Sequence, residues 1–247
     1  MKVAVVIPAR YASTRLPAKP LALIKGRPLL QWVIEGVQKS SKISEVVVAT
    51  DHSQIFDLAE KCGAVAVMTD PDCPTGSDRI YQAVMKLEEQ NKKFDIVINV
   101  QGDEPLISAS EIDLVLNSLV QDRSVAMATL GHPLKADDLE NKNSVKVLLN
   151  NSHDAIYFSR FAIPFSRLPF AEGAFDHLVL KHVGIYGFRT EFLKKFCQHT
   201  VTELEKSESL EQLRALYMGQ KIKVQKINRG LQGVDSPEDI AKVERLL

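Results

Sequence analysis

The chain has 247 residues, 45% of them hydrophobic, with 31 basic and 31 acidic side chains for a formal net charge of zero. That length can bury a substantial core, and the balanced charge argues against a general nucleic-acid or membrane-surface binder, which needs a broad basic face. No apolar stretch reaches 18 residues, the N-terminus enters a strand with no signal-peptide pattern, and Cys62, Cys73 and Cys197 lack disulfide-framework or zinc spacing, so a cytoplasmic protein with reduced thiols is expected.

The first predicted strand, 2–7, contains the apolar run Val3 to Ile7 and breaks at Pro8 into a loop of small and basic residues ending at Pro20. The first 34 residues hold six cations, Lys2, Arg10, Arg15, Lys19, Lys25 and Arg27, and no acid. A buried strand fixes such a loop's origin, small residues admit backbone N–H groups to a polyphosphate, and Arg and Lys neutralise it. A solvated basic turn is the alternative. A helix is expected at 28–39, a strand at 45–50 ending on Asp51, and a helix at 53–62 stopped by Gly63. A strand at 64–68 follows, then Thr75-Gly76-Ser77-Asp78-Arg79 opens a helix at 77–90, where small residues suit a polar ligand. Arg79 either reaches a ligand carboxylate or pairs with Asp78 or Asp72. The strand at 94–100 runs into Gln101-Gly102-Asp103-Glu104-Pro105. Asp103 has the position of a carboxylate that holds Mg²⁺ on a phosphate; Ser108 is better placed than Asp103 to cap the helix at 109–121. A strand at 125–130 continues the layout. Val/Ile strands joined by helices predict a parallel sheet covered on both faces, with ligands outside its carboxyl ends.

From about 144 the pattern changes to extended segments at 144–149, 155–159 and 178–188, with a turn-rich stretch at 164–176. Antiparallel sheet added to the main layer is expected, either covering a pocket or pairing with a second subunit. His182 shares a strand face with Gly184 and Tyr186; taken alone it reads as structural rather than catalytic. Helices are expected at 189–197 and 202–218, the second with a buried stripe of Leu210, Leu213 and Leu216 and, on pattern alone, a solvated face of Glu211, Gln212 and Arg214. A short strand at 221–227 and a helix from 236 close the chain. Ser236 and Pro237 suit that helix's N-cap and first position, leaving Asp235 outside it, either as a second metal-binding acid or simply as an acid beside a helix N-terminus. One domain, 1–247, is expected, with a core at 1–131, a lobe at 132–200 and a return to the core at 201–247.

The motifs Ile7-Pro8-Ala9-Arg10-Tyr11-Ala12-Ser13-Thr14-Arg15-Leu16-Pro17, Val48-Ala49-Thr50-Asp51, Asn99 to Pro105, Tyr157-Phe158-Ser159-Arg160, His182 to Gly187, Leu210-Glu211-Gln212-Leu213-Arg214 and Gly233 to Asp239 occur in this order over almost the whole chain. Together they resemble the sugar-acid cytidylyltransferases, and within them those acting on 3-deoxy-manno-octulosonate (Kdo). The resemblance implies a mononucleotide-binding α/β fold of mostly parallel sheet with an antiparallel extension. It implies Mg²⁺-dependent transfer of a cytidylyl group from CTP to the anomeric hydroxyl of Kdo, for lipopolysaccharide synthesis, by a homodimer. It assigns Pro8, Ala9, Arg10, Ser13, Arg15, Lys19, Thr75 and Gly76 to CTP, with Arg10, Lys19 and Asp103 catalytic, and Asp103 and Asp235 to the metal. Arg79, Gln101, Arg160, His182, Tyr186, Glu211 and Gln212 fall to the sugar, with Arg79 or Arg160 meeting its carboxylate. Two departures stand out. Ala18 replaces a usual Gly, which disfavours φ > 0 there, and Asp78 replaces a longer acid before Arg79. An 8-amino-Kdo or sialic acid substrate, and a nucleotide-binding regulator without turnover, are the competing readings.

Overall fold

The computed structural model describes residues 1–12, 16–165, 167 and 175–247; Ser13, Arg15 and most of the 164–176 turn region lie outside these. The chain forms two compact units, Met1–Asp113 with Leu231–Leu247, and Leu114–Gly230.

The first unit starts with β1 (Val3–Ala9), followed by a small antiparallel hairpin, β2 (Leu23–Ile24) and β3 (Arg27–Pro28). Next come α1 (Leu29–Gln38), β4 (Glu45–Thr50), α2 (Ser53–Lys61), β5 (Val65–Met68), α3 (Gly76–Glu89) and β6 (Ile96–Asn99). Its strands pair in parallel in the order β6-β1-β4-β5. Val3 to Ile7 and Ile96 to Asn99 are buried, as near-continuous apolar strands covered on both faces must be. Gly63 ends α2 at φ 75°, the left-handed conformation that glycine adopts without a Cβ penalty. Helix α4 (Ala109–Gln121) begins behind Ser108, whose N–H donates to Glu111 Oε2 at 3.1 Å in the expected cap.

The second unit contains β7 (Met127–His132), α5 (Ala136–Glu140), β8 (Lys146–Leu149), β9 (Ala155–Ser159), β10 (Val179–Arg189), α6 (Thr190–Gln198), α7 (Glu203–Glu208), α8 (Leu213–Tyr217) and β11 (Ile222–Lys226). Strand β10 runs antiparallel to both β7 and β8, β9 is antiparallel to β8, and β11 is parallel to β7. The antiparallel extension is therefore present. The single helix expected at 202–218 is not. It breaks into α7 and α8 because Ser209 turns left-handed at φ 52° and ends α7. Gln212 and Arg214 are each 2% exposed, so the expected solvated face is also corrected. The Arg214 guanidinium donates to both oxygens of buried Glu205, at 2.8 and 2.6 Å, and to the Phe196 carbonyl at 3.0 Å.

The chain then returns to the first unit and ends in α9 (Pro237–Glu244). Val234 and Val243 pack with Ile24 and Leu29 in a buried cluster bordered by Leu16, Trp32, Leu106 and Ile240. Val234 N–H donates to the Asp103 carbonyl at 2.9 Å, and Lys25 N–H to Glu244 Oε1 at 2.9 Å. These contacts carry the C-terminal segment to the loop after β6.

Candidate active site

In the first unit the site forms where parallel strands end. Pro8, near the end of β1, lies between two glycines: a Cβ on Gly102 would approach the Pro8 carbonyl oxygen to 3.1 Å, and one on Gly76 would come within 3.8 Å of its ring. The β6 loop and the N-terminus of α3 thus close on the strand end. Thr75 caps α3, accepting the Asp78 N–H at 3.2 Å and donating its hydroxyl proton to Asp78 Oδ2 at 2.8 Å. Ala9 is buried and Arg10 is exposed.

Lys19 joins the two acids expected to meet. Its ammonium donates to Asp103 Oδ2 at 2.5 Å and to Asp235 Oδ1 at 3.1 Å. Residues far apart in sequence therefore face one point. Ser236 begins α9 with its N–H bound to Asp239 Oδ2 at 3.1 Å and Pro237 in the first turn, so Asp235 stays outside the helix. Burial works to lower the Lys19 pKa, but the charge and hydrogen bond of Asp103, with those of Asp235, outweigh it and leave the value raised. Glu104 behaves in the opposite sense. Burial, then the charges of Asp103 and Asp235, push its carboxyl up to about 8 against the pull of Lys19. At neutral pH it carries a proton, which spares the cluster a third negative charge. Its Oε2 has no hydrogen-bond partner among the described residues.

Ala18, just before Lys19, is left-handed at φ 51° and ψ 35°, which corrects the expectation drawn from its Cβ. The conformation is held from both sides. The Ala18 carbonyl accepts the Leu21 N–H at 2.8 Å, Lys19 is tied to two acids, and Leu16 packs on the Ile24 cluster.

Arg79 is 3% exposed and spent within the protein. It donates to Thr69 Oγ1 at 2.7 Å, Asp51 Oδ2 at 3.3 Å and the Pro71 carbonyl at 3.4 Å. Its carboxylate partner is Asp51, not the neighbouring Asp78 or Asp72: Asp78 is occupied with the α3 cap. Gln101 Nε2 donates to Asn99 Oδ1 at 3.5 Å.

In the second unit His182 and Tyr186 have ring centroids 5.3 Å apart, and Phe158 sits edge-on to His182 at 5.1 Å. The Thr129 hydroxyl lies 3.1 Å from His182 Nε2 and 2.7 Å from the Ile185 carbonyl, which can only accept. With its one proton on that carbonyl, Thr129 accepts from Nε2–H, which leaves Nδ1 as the imidazole's acceptor. Burial holds His182 down to about 3, so the ring is neutral under ordinary conditions. Burial and then the Glu211 charge raise the Tyr186 pKa, keeping the phenol protonated. Arg160 Nε donates to the Glu208 carbonyl at 2.8 Å, Nη1 to that of Lys142 at 3.1 Å and Nη2 to that of Ser209 at 3.3 Å. Its guanidinium thus meets only carbonyls among the described residues, while the Glu208 carboxylate accepts the Arg160 backbone N–H at 3.0 Å. Fully buried Lys146 fixes the same segment through the Arg160 carbonyl at 2.5 Å and the Ser144 carbonyl at 2.7 Å. Gln212 Nε2 is buried without a hydrogen-bond partner among the described residues.

Asp51 and Glu104 stand at strand ends where ligands are expected, but the pairing of Asp51, the raised pKa of Glu104 and the anchoring by Lys146 carry no sequence signal. Both acids lie inside quoted motifs, but no local pattern marks a partner 28 residues away or a shifted pKa.

The profile of the cytidylyltransferase family matches residues 4–222. A 3-deoxy-manno-octulosonate cytidylyltransferase of Bdellovibrio bacteriovorus is 50% identical over 247 residues, covering 100% of this chain and 98% of its own. The chain belongs to the cytidylyltransferase family, on its 3-deoxy-manno-octulosonate branch. A second such cytidylyltransferase, from Thermodesulfovibrio yellowstonii, is 44% identical over 98% of this chain and 96% of its own. Among solved structures, a CMP:2-keto-3-deoxy-manno-octonic acid synthetase complexed with CTP superposes with a TM-score of 0.89 at 37% identity, over 100% of this chain and 98% of that one.

Proposed function

We propose that this chain transfers the cytidylyl group of CTP to the anomeric hydroxyl of Kdo, releasing pyrophosphate, as one nucleotidyltransferase domain. The observation that carries this reading is the meeting of Lys19, Asp103 and Asp235 at one point in a chain half identical to a Kdo cytidylyltransferase.

Two carboxylates directed at one cationic nitrogen make an all-oxygen donor set, and Mg²⁺ typically takes one or two carboxylates with water and phosphate oxygens completing its shell. No group of three or more His, Cys, Asp or Glu among the described residues is arranged to hold a metal. Asp103 and Asp235 would hold Mg²⁺, whose contribution when bound is Lewis-acid stabilisation of charge on the phosphate oxygens. The remaining work falls to the chain. Arg10 and Lys19, with Ser13 and Arg15 from the same loop, offset charge growing on the pyrophosphate, while Pro8, Ala9, Thr75 and Gly76 bound the nucleotide. Attack by an alcohol at phosphorus needs orientation more than covalent help. Arg160 offers the sugar carboxylate a guanidinium whose partners are neutral carbonyls. Neutral His182, protonated Tyr186, Glu211, Gln101 and Gln212, whose Nε2 has no hydrogen-bond partner among the described residues, would supply hydrogen bonds for sugar hydroxyls.

The product would serve lipopolysaccharide synthesis in the cytoplasm. A homodimer through the 144–188 region is supported by Ile156 on β9 and by Phe161 and Phe165 beyond it, which are 52%, 67% and 90% exposed. Pyrophosphate release with each nucleoside triphosphate and Mg²⁺, against Kdo, 8-amino-Kdo and sialic acid, tests the substrate assignment. Release with CTP and Kdo above the other pairs is expected. Turnover confined to another sugar acid would refute it.

A further inference from the structure

Asp51 follows β4 at the sheet edge where β1 also ends, Pro8 standing opposite Ala49 and Ala9 opposite Thr50. Its side chain is 9% exposed, and both oxygens are engaged. Oδ1 accepts the Tyr11 backbone N–H at 2.9 Å, and Oδ2 faces Arg79 Nη2 at 3.3 Å. Tyr11 is held a second time by its ring, stacked on His52 with centroids 3.8 Å apart. Behind Arg79, Thr69 Oγ1 accepts from the guanidinium at 2.7 Å and donates to the Thr50 carbonyl at 3.0 Å. A chain of contacts thus runs from the base of α3 through Asp51 to the residue after Arg10. A bare carboxylate beside a phosphate-binding loop would repel the phosphates it should help to receive. The buried guanidinium cancels that charge and leaves the hydrogen bond.

We propose that Asp51 is a positioning residue for the nucleotide: its carboxylate clasps the Tyr11 amide and so fixes the direction in which Arg10 leaves β1, while Arg79 is the buried counter-charge that orients this clasp and not a contact to the sugar acid. Arg160 is then the cation for the sugar carboxylate. The affinity readout rests on the cytidylyl-transfer reading; the structural readout does not.

The test uses the full chain as Asp51→Asn, Arg79→Met and the pair Asp51→Leu with Arg79→Met, which buries no unpaired charge. CTP affinity by calorimetry, KM for Kdo, kcat and hydrogen exchange at the Tyr11 amide are measured, with thermal melting to verify folding. In the double variant CTP affinity falls about tenfold, as for loss of a hydrogen bond to a charged group, while KM for Kdo stays within about twofold. The Tyr11 amide exchanges faster, and Asp51→Asn, which retains one acceptor oxygen, recovers part of both effects. A tenfold rise in KM for Kdo in Arg79→Met with CTP affinity unchanged would make Arg79 a sugar ligand and overturn the proposal. Unchanged CTP affinity in the double variant, or equal losses for both substrates, overturns it too. Were the wild-type protein unable to bind CTP, the transfer reading would fail, and Tyr11 exchange alone would decide the clasp: faster in the double variant supports it, unchanged refutes it.

Discussion

Ala18 and His182 show how single residues accept an unfavourable state when their surroundings fix it. A left-handed Ala costs about 1–2 kcal/mol that Gly does not incur, part of which is offset by the greater freedom of Gly in the unfolded chain. Ala18→Gly is therefore expected to raise stability by roughly 0.5–1 kcal/mol, seen as a higher urea midpoint; a lower midpoint would contradict a strained φ at this position. The Cβ argument failed because it weighed only the local penalty and not the Lys19 anchor. His182 makes a pH prediction. Its ring is held down to about 3 against 6.5 in the unfolded chain, so the unfolded state binds more protons between those values. The stability tied to the neutral ring is complete above pH 6.5 and is lost as pH falls towards 3, at up to about 1.4 kcal/mol per pH unit. His182→Gln should lose stability less steeply than wild type between pH 6.5 and 4. Equal slopes in urea titrations would show that the imidazole is not held neutral by burial.

Among elements, strands were the most legible, because runs such as Val46 to Ala49 and Ile96 to Ile98 are apolar along their length and bounded by polar residues. The 202–218 segment was misread for a physical reason: the leucine spacing carries straight across Ser209, and Ser is no obvious helix breaker. What separates α7 from α8 is tertiary, namely the buried Glu205–Arg214 pair, with the guanidinium 4.6 Å over the Phe196 ring. Removing one partner leaves a charge buried alone. Glu205→Ala should destabilise the protein by about 3–5 kcal/mol, and replacing both residues by apolar ones should recover much of that. A loss below about 1 kcal/mol in thermal melts would mean that the pair does not organise the break. The acid that pairs with Arg79 is hidden for a similar reason, since Asp72 and Asp78 are near in sequence whereas Asp51 is near in space.

For the molecule as a whole, the order of motifs made the family legible, and the α/β layout followed from strand and helix periodicity. What the sequence could not display was how the charges meet. Lys19, Asp103 and Asp235 are brought together by the apolar cluster that draws the chain's last segment onto Ile24 and Leu29, and by the hydrogen bond from Val234 to Asp103. Transfer chemistry without covalent catalysis rests on such charge placement, and losing one transition-state contact of this kind typically costs two or more orders of magnitude. The most direct measurement is pyrophosphate release from CTP and Kdo at saturating Mg²⁺ by Asp103→Asn and by Asp235→Asn, each verified as folded. A fall in kcat of at least ~100-fold in each is expected. Near wild-type turnover in either variant would contradict the shared role of the two acids.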